Sequence, residues 1–584
     1  MQCYLFGIGW QKFLSSSAGS SHKRVPEAVE VVLKPAREDF LSPSSPQLKH
    51  RSARSNTTFP LCPATKDASL TPRTFEMADA QISDKVAAAT ESPADQAKEP
   101  ESKQQELVAP VSSKKQSLSD IFTIFCSGFA LISDGYQNNL MTMTNVLFKK
   151  EYAHEYTSSV STRVSNALLV GEILGQVVVG LTCDYLGRKT AIIATTLMIV
   201  LGGIMATASH GITIDGMFWM LTISRGIVGF GAEGGEYPAA SASASEAANE
   251  HALDHRGPVF ILVTNLPLSF GGPLAVCVFL IVLSAAGENH LSTVWRVCFG
   301  IGVLLPLTVF YFRLKMLNSK LYRRGAIKKR VPYLLVLRYY WKTLIGTCGA
   351  WFLYDFITFP NGVFSGTIIS SVVSKTGSLR STAEWQLLLG SIALPGVFLG
   401  AFFCDRLGRK NVMMIGFSGY LIFGLIIGLA YDKVVKIIPL FIIFYGLMLS
   451  FGNFGPGDML GLISSESYAT SVRGTCYGIS AAVGKAGAAI GTEAFKPIQE
   501  NLGKKWTFII AAICGVAGIL VTFFFVPKLT GEDLSKQDER FRAYLLANGW
   551  NGEMGEEDLA ALAEDVHDVE TPSEEGTHDE KIAL

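Results

Sequence analysis

The chain has 584 residues with 50 basic and 50 acidic side chains, so its formal net charge is zero and we expect no nucleic-acid partner. Apolar residues make up 49% of the sequence and charged residues only 17%, and the charges cluster outside long apolar runs. This pattern is typical of one large membrane domain and argues against a set of soluble domains. The ten cysteines show no paired or metal-like spacing, so we interpret them as packing residues and expect no metal site.

The first 116 residues are rich in Ser, Pro, Lys, Glu and Gln and have no sustained apolar period. A segment of this composition cannot bury enough apolar surface to offset the entropy that ordering would cost. The sequence therefore predicts a disordered cytosolic arm over 1–116.

Twelve apolar segments of about 20 residues follow the arm, and this is the length that a helix needs to cross a bilayer. They predict an all-α membrane protein with six helices in 117–312 and six in 343–527. A basic cytosolic loop is expected over 313–342. The tail, 528–584, is polar and acidic, and we expect it to be cytosolic and mostly disordered, with a short helix near 534–546.

Basic residues follow the second and eighth spans and fill the central loop. The positive-inside rule places Arg188-Lys189, Arg409-Lys410 and 313–342 in the cytosol. With twelve spans, this orientation puts both termini in the cytosol.

An internal repeat supports two matched halves. Asp184-Tyr-Leu-Gly-Arg-Lys189 recurs as Asp405-Arg-Leu-Gly-Arg-Lys410. A Ser-Glu pair followed by Arg-Gly also recurs, at Ser245-Glu246 with Arg256-Gly257 and at Ser465-Glu466 with Arg473-Gly474.

The paired D-x-L-G-R-K loops resemble the signature of the major facilitator superfamily, in which they follow the second and eighth helices. The resemblance spans about 120–530 and implies a fold of two pseudo-symmetric six-helix halves. Asp184 and Arg188 can pair across a corner between helix and loop, which would tie helix ends together in one gate state. The expected gating residues are Asp184, Gly187, Arg188, Asp405, Gly408, Arg409, Glu246, Arg256, Glu466 and Arg473.

A glycine-rich stretch with charged residues, Arg225 to Pro238, ends the fourth apolar span. Its glycines let another helix or a ligand approach the backbone closely. Glu233 and Glu236 are three residues apart and share a helical face. A charge at bilayer depth costs at least ~2.5–3.5 kcal/mol, so such residues normally face a polar cavity and have a function there.

Three segments resemble the proton-coupled phosphate symporters within that superfamily. Gly234-Gly-Glu-Tyr-Pro238 is similar to their G-G-D-Y-P, 478–487 to G-I-S-A-A-x-G-K-x-G, and Trp351-Phe-Leu-Tyr-Asp355 to W-F-L-x-D. Overall the chain resembles the fungal glycerophosphodiester permeases, especially at Asp134-Gly-Tyr-Gln-Asn-Asn139 and over 229–250.

The resemblance implies a substrate site. Lys485 is expected to contact the substrate phosphate, although a permanent ion pair with a helix carboxylate is the alternative. Asp355 is expected to bind substrate or to carry a proton, with a structural pairing to Lys485 as its alternative. Trp351, Tyr237 and Asn453 complete the expected substrate site.

Proton coupling is expected at three carboxylates. The resemblance implies a proton site at Asp134 and at Glu236, which takes the place of an aspartate, together with Asp355. The alternatives are a solvated helix end for Asp134 and a structural pair for Glu236. We expect Arg225 to tune a carboxylate.

Four further polar residues are candidates to line the cavity. Glu233 is expected to pair with Arg225 or Lys485, and Glu172 either to be protonated or to face the cavity. The full set is Glu172, Glu233, Asn138 and Asp458.

The chain also departs from the phosphate symporters. Gly457 stands where they have a phosphate-binding asparagine, Phe359 where they have a tyrosine, and Pro267 near the position of a glutamine that Asn265 only partly replaces. These changes remove polar contacts to a compact anion and predict a wider site, suited to a phosphodiester with a polyol or choline head.

We therefore expect a proton-coupled symporter of the fungal plasma membrane that takes up glycerophosphodiesters such as glycerophosphoinositol or glycerophosphocholine. The expected partners are this small-molecule phosphodiester or phosphate, protons and membrane lipid. The sequence shows no ATP-binding loop, nucleophile–base pair or cofactor motif, so we expect neither a cofactor nor an enzyme. Two alternatives remain: an inorganic phosphate:proton symporter and a non-transporting nutrient sensor.

Overall fold

A computed structural model describes residues 131–315, 320–327, 331–373, 378–529 and 531–550. All regular secondary structure in these ranges is helical. The predicted arm, 1–116, lies outside the described residues, as do parts of the central loop and the tail from 551 onward.

Twelve long helices run through the described chain, six in each half. The first six are α1 Leu131–Glu151, α2 Ser158–Leu186, α3 Arg188–Thr207, α4 (Ile214–Gly231, Ala232–Glu236 and Tyr237–His251), α5 Leu253–Ala286 and α6 Leu291–Lys315. The second six are α7 Tyr333–Val373, α8 Leu379–Phe403, α9 Arg409–Leu429, α10 Ile438–Ser467, α11 Arg473–Asn501 and α12 Lys505–Phe525. The prediction of an all-α, twelve-helix membrane fold is confirmed.

Within the described ranges, nine of these helices are long and apolar enough to cross a membrane. The three that fall short of this apolarity are α1, α4 and α11. They carry Asp134, Glu233 and Lys485 respectively, and such charged residues lower the apolarity of a helix.

Two helices contain a π segment, and the two segments occupy corresponding places in the halves. In α4 the segment is Ala232–Glu236, and in α10 it is Asn453–Gly457. Both are rich in glycine, which weakens the regular helix, and π segments are frequent at functional sites. Helix α5 is also interrupted, at Thr264.

Glycines bring the helices of the bundle into backbone contact. A Cβ on Gly171 of α2 would lie 2.1 Å from the carbonyl oxygen of Gly226 on α4. In the other half, a Cβ on Gly487 of α11 would lie 2.5 Å from the carbonyl oxygen of Phe352 on α7. No side chain fits at either position, so both crossings depend on glycine.

A further helix, α13 Leu534–Ala547, lies in the tail where the sequence predicts a short helix. Phe541 and Leu545 are buried in a cluster with Tyr340 and Tyr468. Helix α7 begins at Tyr333, within residues expected to form the basic loop, and its first turns supply part of the surface on which α13 packs.

Candidate functional site

A cavity of about 200 Å³ lies between the two halves. Its walls come from α1, α4 and α5 on one side and from α7, α8, α10 and α11 on the other. Seven of the residues expected to bind substrate, couple protons or line the cavity do line it: Asn138, Glu233, Tyr237, Trp351, Asp355, Asn453 and Lys485.

The ammonium group of Lys485 contacts three carboxylates. It forms a close ion pair with Glu233 of α4 and lies 3.6 Å from Glu172 Oε2 and 3.8 Å from Asp355 Oδ2. All four side chains are nearly inaccessible to water. One positive charge thus faces three acidic groups in a medium that screens charge poorly, so the charge states of these groups depend on one another.

Aromatic side chains hold Lys485 in place. Its Nζ lies 3.6 Å from the centroid of the Phe359 ring, a cation–π distance. The preceding residue is Gly484, where a Cβ would lie 2.4 Å from Cδ1 of Trp351. Trp351 in turn makes an edge-to-face contact with Tyr237, with ring centroids 5.9 Å apart. The lysine therefore projects from a closely packed wall.

The π segment of α4 presents Glu233 to this lysine. The carboxylate of Glu233 accepts a hydrogen bond from Asn138 of α1, and its backbone carbonyl accepts one from Gln176 Nε2 at 3.2 Å. Of the two expected partners of Glu233, Lys485 is therefore the one that the structure shows.

Further amide and hydroxyl side chains line the cavity, and the sequence analysis did not assign them a role. Thr358 follows Asp355 on α7 by three residues and shares its helical face, so this spacing could have indicated it. Asn139 lies in the segment Asp134–Asn139 that the sequence analysis singled out as a whole. The added lining residues are Asn139, Thr142, Ser269, Tyr354, Thr358, Ser365 and Gln386.

Asp458 does not line the cavity, contrary to the expectation, and Glu172, which was expected either to be protonated or to face the cavity, does not line it either. Glu172 is fully buried, with its Oε2 3.6 Å from Lys485 Nζ. Asp458 is buried and accepts a 2.5 Å hydrogen bond from Asn265, which itself lines the cavity.

Arg225 and Asp134 also lie away from the cavity lining. Arg225 points toward α2 and donates a hydrogen bond to the carbonyl oxygen of Val164 at 3.1 Å. In the described residues it forms no ion pair with Glu233, from which it is separated by two helical turns. Asp134 is fully buried in α1. The side chain of Glu236 lies outside what the structure describes.

Gly457 does not simply widen the cavity. A Cβ at this position would lie 2.8 Å from the hydroxyl oxygen of Tyr354. The absence of a side chain at Gly457 therefore makes room for this tyrosine, so the cavity gains a phenol where the sequence predicted empty volume.

The repeated motifs join the two halves at one end of the bundle. Asp184, at the end of α2, pairs with Arg188 at 2.5 Å. It also accepts hydrogen bonds from the backbone N–H groups of Gly474 and Thr475, at the start of α11, at 3.0 and 2.7 Å. Helix N-termini favour negative charge, so the Asp184 carboxylate caps α11 across the boundary between the halves.

Two glutamates, Glu246 and Glu466, complete this group of residues, which we call the gate cluster. Its charged members are Asp184, Arg188, Glu246, Arg256, Asp405, Arg409, Glu466 and Arg473. Glu246 accepts from Arg188 at 3.2 Å and from Arg473 at 3.0 Å. Its counterpart, Glu466, pairs with Arg256 at 3.0 Å and with Arg409 at 3.1 Å. Each glutamate thus binds one arginine from each half.

The motif glycines have a structural requirement. Gly187 and Gly408 have φ values of 91° and 81°, a region that side-chain-bearing residues rarely adopt. The turn lets Arg409 fold back to Asp405 at 2.7 Å, as Arg188 does to Asp184. All ten expected gating residues therefore lie in or beside this cluster.

Comparison with known proteins gives consistent matches. The sugar (and other) transporter family matches residues 120–331 and 327–541. Glycerophosphoinositol permease 1 of Candida albicans is 61% identical over 461 residues, which cover 78% of this chain and 88% of that protein. Glycerophosphoinositol transporter 1 of Saccharomyces cerevisiae is 56% identical over 445 residues, which cover 76% of this chain and 86% of that protein.

The proton:xylose symporter XylE, of the major facilitator superfamily, has a similar fold. Its structure superimposes with a TM-score of 0.61, at 18% identity, and the match covers 72% of this chain and 99% of that one. The family matches confirm the expectation of a transporter and not an enzyme. The chain thus belongs to the sugar (and other) transporter family of the major facilitator superfamily, and it is a multi-pass membrane transporter.

Proposed function

We propose that this chain takes up glycerophosphodiesters together with protons, with glycerophosphoinositol as the preferred substrate. The main support is the contact of Lys485 with Glu233, Glu172 and Asp355 in a cavity between the two halves. Two fungal relatives named for glycerophosphoinositol share more than half of their aligned residues with this chain.

Proton binding and anion binding are linked at this lysine. While Glu233 is ionised it neutralises Lys485, and a phosphodiester would meet an excess of buried negative charge. A proton on Glu233 or Asp355 removes one of these negative charges and leaves the ammonium available to the substrate phosphate. Substrate binding in turn favours the protonated carboxylate, because coupling between two sites is reciprocal.

The remaining walls suit the head group of the substrate. Asn139, Asn265, Tyr354 and Gln386 offer amide and phenol groups that can donate to and accept from hydroxyls. A polyol such as inositol can pair with many of them. A choline head group would leave these groups unpaired, which is costly for polar groups out of water.

Alternating access would move each half around the cavity. The contacts of Asp184, Glu246 and Glu466 across the two halves support a gate at this end, which would be closed while these contacts are formed. By the positive-inside rule this end faces the cytosol, since Lys189 and Lys410 lie beside it. We accordingly propose a plasma-membrane location with both termini in the cytosol.

Uptake into reconstituted vesicles tests the proposal. Labelled glycerophosphoinositol, glycerophosphocholine and inorganic phosphate are offered with and without an imposed pH gradient, acidic outside. We expect glycerophosphoinositol to accumulate fastest and only with the gradient. Preferential uptake of inorganic phosphate would favour the phosphate symporter instead. Equal accumulation of glycerophosphoinositol with and without the pH gradient would contradict proton coupling.

A non-transporting sensor predicts a different outcome. It would bind glycerophosphoinositol without moving it into vesicles. A purified chain that binds this substrate but shows no uptake and no exchange would therefore contradict transport.

A further inference from the structure

A further buried polar contact joins the two halves, apart from the Lys485 cluster and the gate cluster. Asn265 of α5 donates from Nδ2 to Asp458 Oδ1 of α10 at 2.5 Å. Asp458 is 1% exposed, and its other oxygen, Oδ2, has no hydrogen-bond partner in the described residues. That oxygen faces Gly400 of α8, where a Cβ would lie only 1.9 Å away.

Asp458 is a carboxylate without a cation. Among the residues that the structure describes, no Lys, Arg or His lies within 4.0 Å of it, whereas Glu233 has one such partner and Glu246 and Glu466 have two each. A buried, ionised carboxylate held by a single amide is costly. The titratable groups on the elements packed around it include Tyr354 and Asp355 of α7, Tyr237 of α4, Tyr477 and Lys485 of α11, and Cys404. They also include Arg256, Arg409, Glu246 and Glu466, which belong to the gate cluster.

The contact lies between the cavity and the gate cluster. Asp458 is eight residues before Glu466 on α10, and Asn265 is nine residues after Arg256 on α5, so each is about 12–14 Å from the gate along its helix. Asn265 also lines the cavity. A substrate hydroxyl can therefore reach the same amide that holds Asp458.

This contact has a counterpart in the other half. Glu233, in the π segment of α4, pairs with Lys485 of α11. Asp458, directly after the π segment of α10, pairs with Asn265 of α5, beside the break at Thr264. In each case an acidic residue at an irregular point of one half contacts a helix of the other half.

We propose that Asp458 is a further proton-binding residue, and that a proton there weakens the bond to Asn265 and favours separation of the halves at the gate end. The inference rests on the proposed function for its role in transport. When the halves part, Asp458 loses its amide donor. An ionised Asp458 opposes that step more strongly than a protonated one, because a hydrogen bond to a carboxylate is stronger than one to a neutral carboxyl.

Hydrogen–deuterium exchange tests this without substrate. The loop 468–472 is clamped at the gate, because Arg188 of α3 donates to the carbonyl oxygen of Thr470 at 3.2 Å. Exchange of this loop is measured on the purified full chain in lipid nanodiscs at pH 5.5 and pH 7.5, corrected for the intrinsic pH effect. We expect Asp458→Asn and Asn265→Ala each to raise it by about threefold or more at pH 7.5.

The control is Asp432→Asn, the same chemical change at an exposed carboxylate, which should leave exchange unchanged. The proposal is overturned if both test variants exchange like the wild type at pH 7.5. General misfolding would show as lost protection in every helix, and in that case Asn265→Ser, which keeps a small polar residue, decides the question by the same readout. Absence of glycerophosphoinositol uptake by the wild type would count against the proposed function and leave this result standing.

Discussion

The carboxylate of Asp184 accepts a 2.7 Å hydrogen bond from the hydroxyl of Thr475, across the boundary between the two halves. The same carboxylate accepts from two backbone N–H groups at the start of α11 and pairs with Arg188. Because all of these groups are buried, the gate end of the bundle is held by charge-assisted hydrogen bonds that act together.

Removal of the Asp184 charge should weaken this gate. Asp184→Asn keeps the size of the side chain but loses the charge that binds Arg188 and caps α11. Hydrogen bonds to charged groups contribute about 1.5–3 kcal/mol, so we expect at least about a tenfold rise in deuterium exchange of 468–472. Asp432→Asn is the matched control. Unchanged exchange would mean that Arg473 and Glu246 hold the gate without Asp184.

Replacement of Lys485 should abolish transport. Lys485→Gln leaves Glu233, Glu172 and Asp355 without their shared cation, so a substrate phosphate would enter a cavity with no positive charge. We expect uptake of glycerophosphoinositol to fall by about 100-fold or more, as the loss of a buried charge partner implies. The control Lys433→Gln removes an exposed lysine. Near-normal uptake in Lys485→Gln would place substrate binding elsewhere.

A pair of substitutions tests the fit between Gly457 and Tyr354. Gly457→Ala places a Cβ 2.8 Å from the Tyr354 hydroxyl oxygen, and such overpacking typically costs about 1–3 kcal/mol. We expect lower thermal stability and slower uptake, with the stability restored in part by Tyr354→Phe in the double variant. If Gly457→Ala lowers the thermal stability by the same amount with Tyr354 and with Phe at position 354, the contact with the phenol oxygen is not the cause. Gly300→Ala, with 3.5 Å to the nearest atom, is a control that should be near neutral.

The docking of α13 should respond to pH through Asp538. Burial raises the pKa of this carboxyl above its ordinary value of 3.8, although Arg473 and the hydrogen bonds from Thr470 oppose the shift. A raised pKa in the docked state means that the protonated form favours docking. That stabilisation is complete below pH 3.8 and is lost as pH rises through the raised value.

Deuterium exchange of 534–547 checks this expectation. After correction for intrinsic rates, the wild type should be better protected at pH 4 than at pH 7, and Asp538→Asn should show no such difference. Asp533 acts in the opposite sense: burial raises its pKa, but hydrogen bonds from Ser535 and Asn249 outweigh this and lower it. Its stabilisation is complete well above pH 3.8 and is lost as pH falls through the lowered value, so only a small part of it is lost at pH 4. Equal protection of the wild type at both values would contradict the Asp538 effect.

Several site residues could be predicted because charges are rare in apolar helices. Lys485, Glu233 and Asp355 each interrupt a span, and burial without a partner is so costly that groups of this kind must meet one another or water. Arg225 interrupts a span in the same way, but the sequence does not indicate which group it contacts. That depends on the rotation of α4, and in the structure its Nε donates to the carbonyl oxygen of Val164.

The contact between Asp458 and Asn265 could not be predicted, since the two residues are 193 positions apart. The same holds for the docking of α13, whose buried residues are only Leu534, Phe541 and Leu545. The sequence predicts a short helix near 534–546, but such a prediction does not indicate which surface the helix covers.

By itself, the sequence determined the twelve spans, the repeat and the motif residues, because apolar length, charge spacing and positive-φ glycines act locally along the chain. Only the tertiary structure decided which acids meet Lys485, that Tyr354 fills the space beside Gly457, and that Asp458 binds across the halves. These contacts depend on the rotation and register of helices that pack from distant parts of the chain, and local preferences do not specify either quantity.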